Sequence, residues 1–138
     1  HNTRKAIPIH HGHRIVSEKT AYEVKKTLHN VVDRGTAQNL KLNGYPIAGK
    51  PGTAQIPKAN GRGYDPGKYL ASFIGFFPVE DPEIVMLVAI HAPQKGYYGS
   101  SVAGPAFKRC AEFIIDQYNM KPDHQSPMVT THSKVNYR

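Results

Sequence analysis

The sequence predicts an α+β fold, an antiparallel sheet of about three strands flanked by one N-terminal and one C-terminal helix. Three observations carry that expectation. Apolar residues recur at helical spacing within residues 18–33, two strand-like runs are joined by the short turn segment PVEDPE, and a second helical stripe occupies residues 102–118.

The elements follow in chain order. Residues 1–16, HNTRKAIPIHHGHRIV, show no sustained period and are expected to be extended. Ser17 is placed to cap a helix, with Glu18 in the first turn where the helix dipole favours an acid. Ala21, Val24, Leu28, Val31 and Val32 form its apolar face, and Gly35 is placed to end it. The segment YPIAGKPGTAQ then reads as a strand, and IPKANGRGYDPGK, rich in Gly, Pro and cations, as an exposed loop of roughly a dozen residues. YLASFIGFF suits a strand, and the continuous run IVMLVAI suits a central strand covered on both faces. In the last helix, Val102, Ala103, Ala106, Phe107, Cys110, Ala111, Ile114 and Tyr118 align as a stripe, with Cys110 expected to be a small buried hydrophobe. Pro105 is tolerable there if it falls in the first turn. The organisation expected is a lead-in over 1–16, the main body over 17–118 and a loose polar tail over 119–138.

At 138 residues the chain is one domain or part of a larger one, and an apolar fraction of 39% suffices for a packed core. No stretch approaches the ~18 consecutive apolar residues of a membrane span. A single cysteine excludes an intrachain disulfide framework. The chain opens on His1 with no charged segment leading into an apolar one, so a processed start or a piece of a longer protein is expected. Net charge is +8, but its distribution decides more: residues 1–44 hold eight Lys/Arg against three acids, and residues 45–118 hold seven against six. The excess sits on the first helix and the tails. A solvated basic face accounts for it, and no aromatic–basic stacking pattern supports a nucleic-acid partner.

The segment with chemical promise is Lys50–Pro51–Gly52–Thr53. In a strand Lys50 and Pro51 point to opposite faces, whereas Pro51 and Thr53 share one. Beside a cleft, Gly52 permits close approach, Thr53 offers a hydroxyl and an N–H, and Lys50 adds positive charge. Such a set suits a carboxylate or a developing oxyanion. Proline belongs only where no ladder donor is needed.

Three longer segments give this tetrapeptide a context: the run from VSEKTAYEVKK to YPIAGKPGTAQ, then YLASFIGFFPVEDPEIVMLVAI, then YYGSSVAGPAFKRCAEFI. Together they closely resemble the C-terminal part of class B penicillin-binding proteins, the serine D,D-transpeptidases that cross-link peptidoglycan. The resemblance runs from about Val16 to Tyr118. It implies a partial penicillin-binding-protein/β-lactamase-like fold and an enzyme acting through an acyl-serine, with no cofactor. The family carries S-x-x-K, S-x-N and K-T/S-G motifs. By resemblance, Lys50, Gly52 and Thr53 match the third and would bind substrate or β-lactam. In the family the lysine supports the polar network of the cleft. The residue after the glycine donates its N–H to the oxyanion hole and its hydroxyl to the ligand carboxylate. None of Ser17, Ser72, Ser100, Ser101, Ser126 and Ser133 has Lys three positions on or Asn two positions on. The nucleophile is therefore missing from this chain, and no acyl-enzyme can form without it.

Pro51 stands where the family has Thr or Ser. It is expected to leave the fold intact and to weaken carboxylate recognition by about 1–2 kcal/mol, the worth of one polar contact. The resemblance further implies peptidoglycan stem peptides, β-lactams, the missing N-terminal part of the transpeptidase and the cell-wall synthesis machinery as partners. It places the protein on the outer face of the cytoplasmic membrane, with an anchor upstream of these residues. A catalytically inactive descendant, serving as a binding or assembly module, is the competing expectation. His10, His11 and His13 lack further ligands at metal-site spacing and are expected to be exposed polar residues, as is His91 at a strand end. Tyr97, Tyr98, Gly99 and Ser100 resemble the family's loop before the last helix and are expected to be structural.

Overall fold

The computed structural model describes residues 12–122. Helix α1 spans Glu18–Asp33, a 3-10 turn covers Gln38–Leu40, strands β1, β2 and β3 span Ala48–Pro57, Tyr64–Phe77 and Ile84–His91, and helix α2 spans Gly99–Gln117. The strands form one antiparallel sheet in the order β1–β2–β3.

Helix α1 starts and stops on local chemistry. Ser17 Oγ accepts the Thr20 N–H at 3.1 Å, which satisfies one of the orphan donors of the first turn. After the cap at Arg34, a Cβ on Gly35 would stand 2.8 Å from Val31 O, so the chain folds back tightly only because that side chain is absent. Asp33 then takes Lys41 Nζ at 2.9 Å. That hydrogen bond, with the charges of Lys41, His29 and Arg34, holds the carboxyl below its ordinary value against the opposing effect of burial.

The core lies between one face of the sheet and α2. Phe107 of α2 packs edge-on against Phe73 and Phe77 of β2, with ring centroids at 4.8 and 6.3 Å. All three rings are fully buried, with Leu40, Ile47 and Val32 around them. Gly49 and Gly75, opposite each other in the ladder, make that depth available. A Cβ on Gly49 would lie 2.6 Å from Phe73 Cζ, and one on Gly75 2.9 Å from Phe107 Cζ.

Four sequence expectations need correction. The segment IPKANGRGYDPGK is mostly strand: β1 runs to Pro57 and β2 begins at Tyr64, so the loop is only Lys58–Gly63. Backbone bonds close it, Lys58 N–H to Gly63 O at 3.0 Å and Gly61 N–H to Lys58 O at 2.9 Å, and these need no side-chain period. Strand β3 is an edge strand covered on one face only, with Ile84, Met86, Val88 and Ile90 half-buried and Val85 and Leu87 exposed by 73% and 61%. Pro105 sits in the second turn of α2, because the helix begins at Gly99. It leaves Ser101 O without an i+4 donor, and Ser101 is exposed to water. Cys110 is exposed, since the buried seam of α2 is Ala103, Phe107 and Ala111 at i, i+4 spacing and Cys110 flanks it. The lead-in expected over 1–16 and the loose tail expected over 119–138 fall largely outside the described residues.

Candidate active-site strand

Strand β1 is the other edge of the sheet, and its ladder polarity follows from one contact. Ala92 N–H donates to Tyr69 O at 2.8 Å, so Tyr69 turns its backbone groups toward β3. Alternation along β2 then turns Leu70, Ser72, Ile74 and Phe76 toward β1, where their partners are Ala54, Gly52, Lys50 and Ala48. Gly49, Pro51, Thr53 and Gln55 consequently present their backbone groups to the free edge. A proline at 51 interrupts no ladder bond.

The faces sort the same residues differently. Pro51 and Thr53 share the face that α2 covers, with Phe73 and Ala71 opposite them, while Lys50 and Gly52 share the outer face with Ile74 and Ser72. Gly52 is pressed from both sides. A Cβ there would stand 2.6 Å from Ser72 Oγ, and a Cβ on Gly99 would stand 2.8 Å from Gly52 N and 2.5 Å from Gly52 O. Its small size thus serves packing as well as any approach of a ligand.

Thr53 fastens α2 to β1. Its Oγ1 accepts the Gly99 N–H at 3.2 Å and donates to Tyr97 O at 3.3 Å. The hydroxyl proton is already committed, so a carboxylate could take it only in exchange for Tyr97 O. The Thr53 N–H remains on the open edge. Lys50 is exposed, and its Nζ donates to Pro51 O at 3.2 Å. Among the described residues it has no carboxylate within ion-pair distance.

Beside Thr53 stands an aromatic cluster of which the sequence indicated only part. Tyr69 stacks on Tyr97 at 4.7 Å, and Tyr97 lies 4.4 Å from Tyr98 and donates its hydroxyl to that of Tyr98 at 3.2 Å. That hydrogen bond and the neighbouring phenols raise the Tyr97 pKa above the usual tyrosine value. Tyr97 and Tyr98 are exposed by 40% and 59%, so they form an open wall, whereas Gly99 is buried structure. Tyr69 was legible only through register: it pairs with Gln55, on the face of Thr53.

Other candidates lie apart. His91 is exposed at the end of β3, in a row with Leu70 and Ala54. His13 is exposed, and His10 and His11 lie outside the described residues. Among the described residues no cluster of three or more His, Cys, Asp or Glu could hold a metal ion.

The edge strand therefore offers an unpaired N–H at Thr53, a cation at Lys50 and an aromatic wall. Residues 4–112 match the family model described as the penicillin binding protein transpeptidase domain. The chain is 41% identical over 100 residues to a probable peptidoglycan D,D-transpeptidase PenA of Neisseria meningitidis, covering 71% of this chain and 17% of that protein. It superposes on the transpeptidase domain of Burkholderia pseudomallei penicillin-binding protein 3 with a TM-score of 0.71 and 40% identity, covering 83% of this chain and 34% of that one. The ampicillin complex of Mycobacterium tuberculosis penicillin-binding protein 3 gives a TM-score of 0.75 at 27% identity, covering 91% and 30%. The chain thus spans about a sixth of that curated relative's length and a third of the solved domain's. With the family model covering most of its length and the same sheet and helices in its structural neighbours, the chain belongs to the penicillin-binding-protein transpeptidase family, of whose catalytic domain it is a part.

Proposed function

We propose that these residues form the K-x-G-T wall of the acyl-transfer cleft in a serine D,D-transpeptidase that cross-links peptidoglycan. The observation that carries this is the Thr53 N–H, held on an open strand edge next to Lys50 and Gly52. In the proposed reaction a serine from outside these residues attacks the D-alanyl carbonyl of a stem peptide. The peptide C–N bond breaks, the D-alanine amine leaves with a proton, and an acyl-serine forms that an acceptor amine resolves. Thr53 N–H donates to the carbonyl oxygen as its charge develops, and Lys50 supplies positive charge beside it. β-Lactams enter by the same acylation, a reading supported by the ampicillin-bound structural neighbour.

The outer face supports the dependence on further chain. Ile74, Val85 and Leu87 are exposed by 50%, 73% and 61%. They adjoin a 440 Å³ groove lined by Val16, Ala21, Val24, Phe76, Pro82 and Val85. An apolar face of this extent beside an unpaired strand edge fits burial by the remainder of the domain. Among the described residues no helix is long and apolar enough to cross a membrane, so the proposed place on the outer face of the cytoplasmic membrane depends on an anchor elsewhere.

Pro51 favours a second reading, a catalytically inactive descendant that serves as a binding or assembly module. Fluorescent penicillin labelling of the source cells, probed in parallel with an antibody to residues 17–118, separates the two. A labelled band larger than 15.3 kDa that the antibody recognises supports the transpeptidase. Antibody-reactive protein that never takes the label supports the inactive module.

A further inference from the structure

Over residues 45–118 the seven Lys/Arg and six acids nearly cancel, yet the fold separates them. Apart from Lys50 on the cleft strand, four of the cations stand at one end of the sheet. Lys58, Arg62 and Lys68 lie on the β1–β2 hairpin, and Lys95 lies in the loop after β3. Asp65 is the one acid among them, and it pairs with Lys68 at 3.2 Å. The other five acids lie toward the opposite end: Glu80, Asp81 and Glu83 in the turn between β2 and β3, and Glu112 and Asp116 on the last turns of α2. Helix α1 meets that end with cations of its own, Lys25 Nζ donating to Glu80 O at 2.8 Å. The hairpin end has no such balance.

The hairpin carries its charge on a closed tip. Lys58 N–H donates to Gly63 O at 3.0 Å, Gly61 N–H to Lys58 O at 2.9 Å and Arg62 N–H to Asn60 Oδ1 at 3.1 Å. Lys58, Arg62 and Lys95 are exposed, and none is within ion-pair distance of a carboxylate among the described residues. The stack of Tyr69 on Tyr97 joins the hairpin to the loop that bears Lys95, so the three cations lie together beyond Thr53. Helix α2 begins at this end too, and the positive pole of its dipole adds to their field.

We propose that the hairpin tip and the loop after β3 form a docking surface for an acidic peptide, whose carboxylates pair with Lys58, Arg62 and Lys95. At ~3.3 Å per residue, Lys58 stands roughly 15 Å along the strand from Thr53. A peptide that reaches both places therefore carries its carboxylates about five residues from the end that lies at Thr53. Exposed ion pairs add little affinity singly, but a group of one sign steers approach and selects the charge of the partner. A nucleic acid suits the surface less well, because Tyr97 already stacks on Tyr69 and lies 4.4 Å from Tyr98, so its ring is engaged rather than open to a base. The surface follows from the fold and the placement of charge. That the peptide is the substrate of the transpeptidase rests on the function proposed above.

The test is a titration of the ¹⁵N-labelled full chain with end-capped hexa-L-glutamate and, separately, with end-capped hexa-L-glutamine, in low salt. The amides of residues 58–63 and 94–96 are expected to shift with the glutamate peptide alone, and the response should fade as salt is raised. The double variant Lys58→Glu, Arg62→Glu should weaken binding by about four- to thirtyfold, the worth of two exposed pairs lost and reversed. Lys95→Glu should weaken it by about two- to fivefold and gives an independent variant should the first disturb the turn. Lys19→Glu with Lys26→Glu, the same change in net charge placed on α1, should stay within about twofold of the parent. Silence at the hairpin, an equal response to the glutamine peptide, or an α1 variant weakened as much as the hairpin variant overturns the docking surface. Tighter binding of hexathymidylate under the same conditions overturns the acidic peptide in favour of nucleic acid. Hexaglutamate binding at the hairpin, in a protein that takes no penicillin label in its source cells, keeps the surface and overturns only the transpeptidase reading. Labelled protein with a silent hairpin does the reverse.

Discussion

Gly99→Ala is the substitution whose direction separates two physical effects. Gly99 is the first residue of α2, where exchanging glycine for alanine raises helix propensity by up to ~1 kcal/mol. Packing acts the other way. The added Cβ would stand 2.5 Å from Gly52 O and 2.8 Å from Gly52 N, and nearer still to Ser72 O, all backbone atoms of a paired ladder that cannot turn aside. The helix end must lift. Overpacking of this kind costs about 1–3 kcal/mol, and stretching the 3.2 Å bond from Gly99 N–H to Thr53 Oγ1 adds about 0.5–1.5 kcal/mol. Net of propensity, a loss of about 0.5–4.5 kcal/mol follows. Gly104→Ala is the comparison: its Cβ would meet Leu40 Cδ2 at 2.8 Å, the movable end of a side chain, so its loss should be smaller. Urea unfolding of the two variants and the parent, followed by circular dichroism, reads both values. A Gly99→Ala chain as stable as the parent, or less affected than Gly104→Ala, would refute the claim that α2 is seated on the β1–β2 backbone.

Two further outcomes follow from the core and the aromatic wall. Phe107→Ala removes the ring that meets Phe73 and Phe77 edge-on and should cost about 3–5 kcal/mol in the same urea experiment, with a loss under 1 kcal/mol counting against this core. Tyr98→Phe removes the acceptor of the Tyr97 hydroxyl. In a phenolate absorbance titration, the late-ionising tyrosine should move down toward the ordinary value near 10. Because the folded-state pKa of Tyr97 is raised, its contribution to stability is present below about pH 10 and is lost as the pH climbs through the folded value. The variant should lack that alkaline decline.

Where local chemistry decides, the sequence was legible. Ser17 and Gly35 bracket α1 because a hydroxyl cap and a missing side chain are properties of single residues. The strand runs on either side of PVEDPE paired as expected for the same reason: a short turn leaves antiparallel neighbours little choice. Misjudgements came where the outcome depended on what lies across from a residue. An aliphatic run such as IVMLVAI has the same composition whether one face is covered or two, and β3 has a partner on one side only. The stripe through Cys110 is wider in sequence than the seam α2 buries: of its residues Ala103, Phe107 and Ala111 are fully buried, Ile114 packs partly against the core, and Cys110 is exposed. The hairpin at 58–63 was obscured because glycine and proline signal turns, yet the backbone bonds at its base extend both strands past them.

The K-P-G-T segment shows why a motif is not yet a site. Its spacing indicated which residues share a face, and the ladder places them so. What spacing could not indicate is how much of each group is already spent. The Thr53 hydroxyl serves Gly99 and Tyr97, Gly52 is filled by Ser72 Oγ on one side and pressed by Gly99 on the other, and Lys50 reaches over the edge to Pro51 O. Of the polar groups in the motif, the backbone N–H and C=O of Thr53 are those that the ladder leaves facing outward and that none of these contacts consumes. On the function proposed, recognition along this strand falls to the backbone of β1. The side chains chiefly decide how firmly that backbone is held against α2.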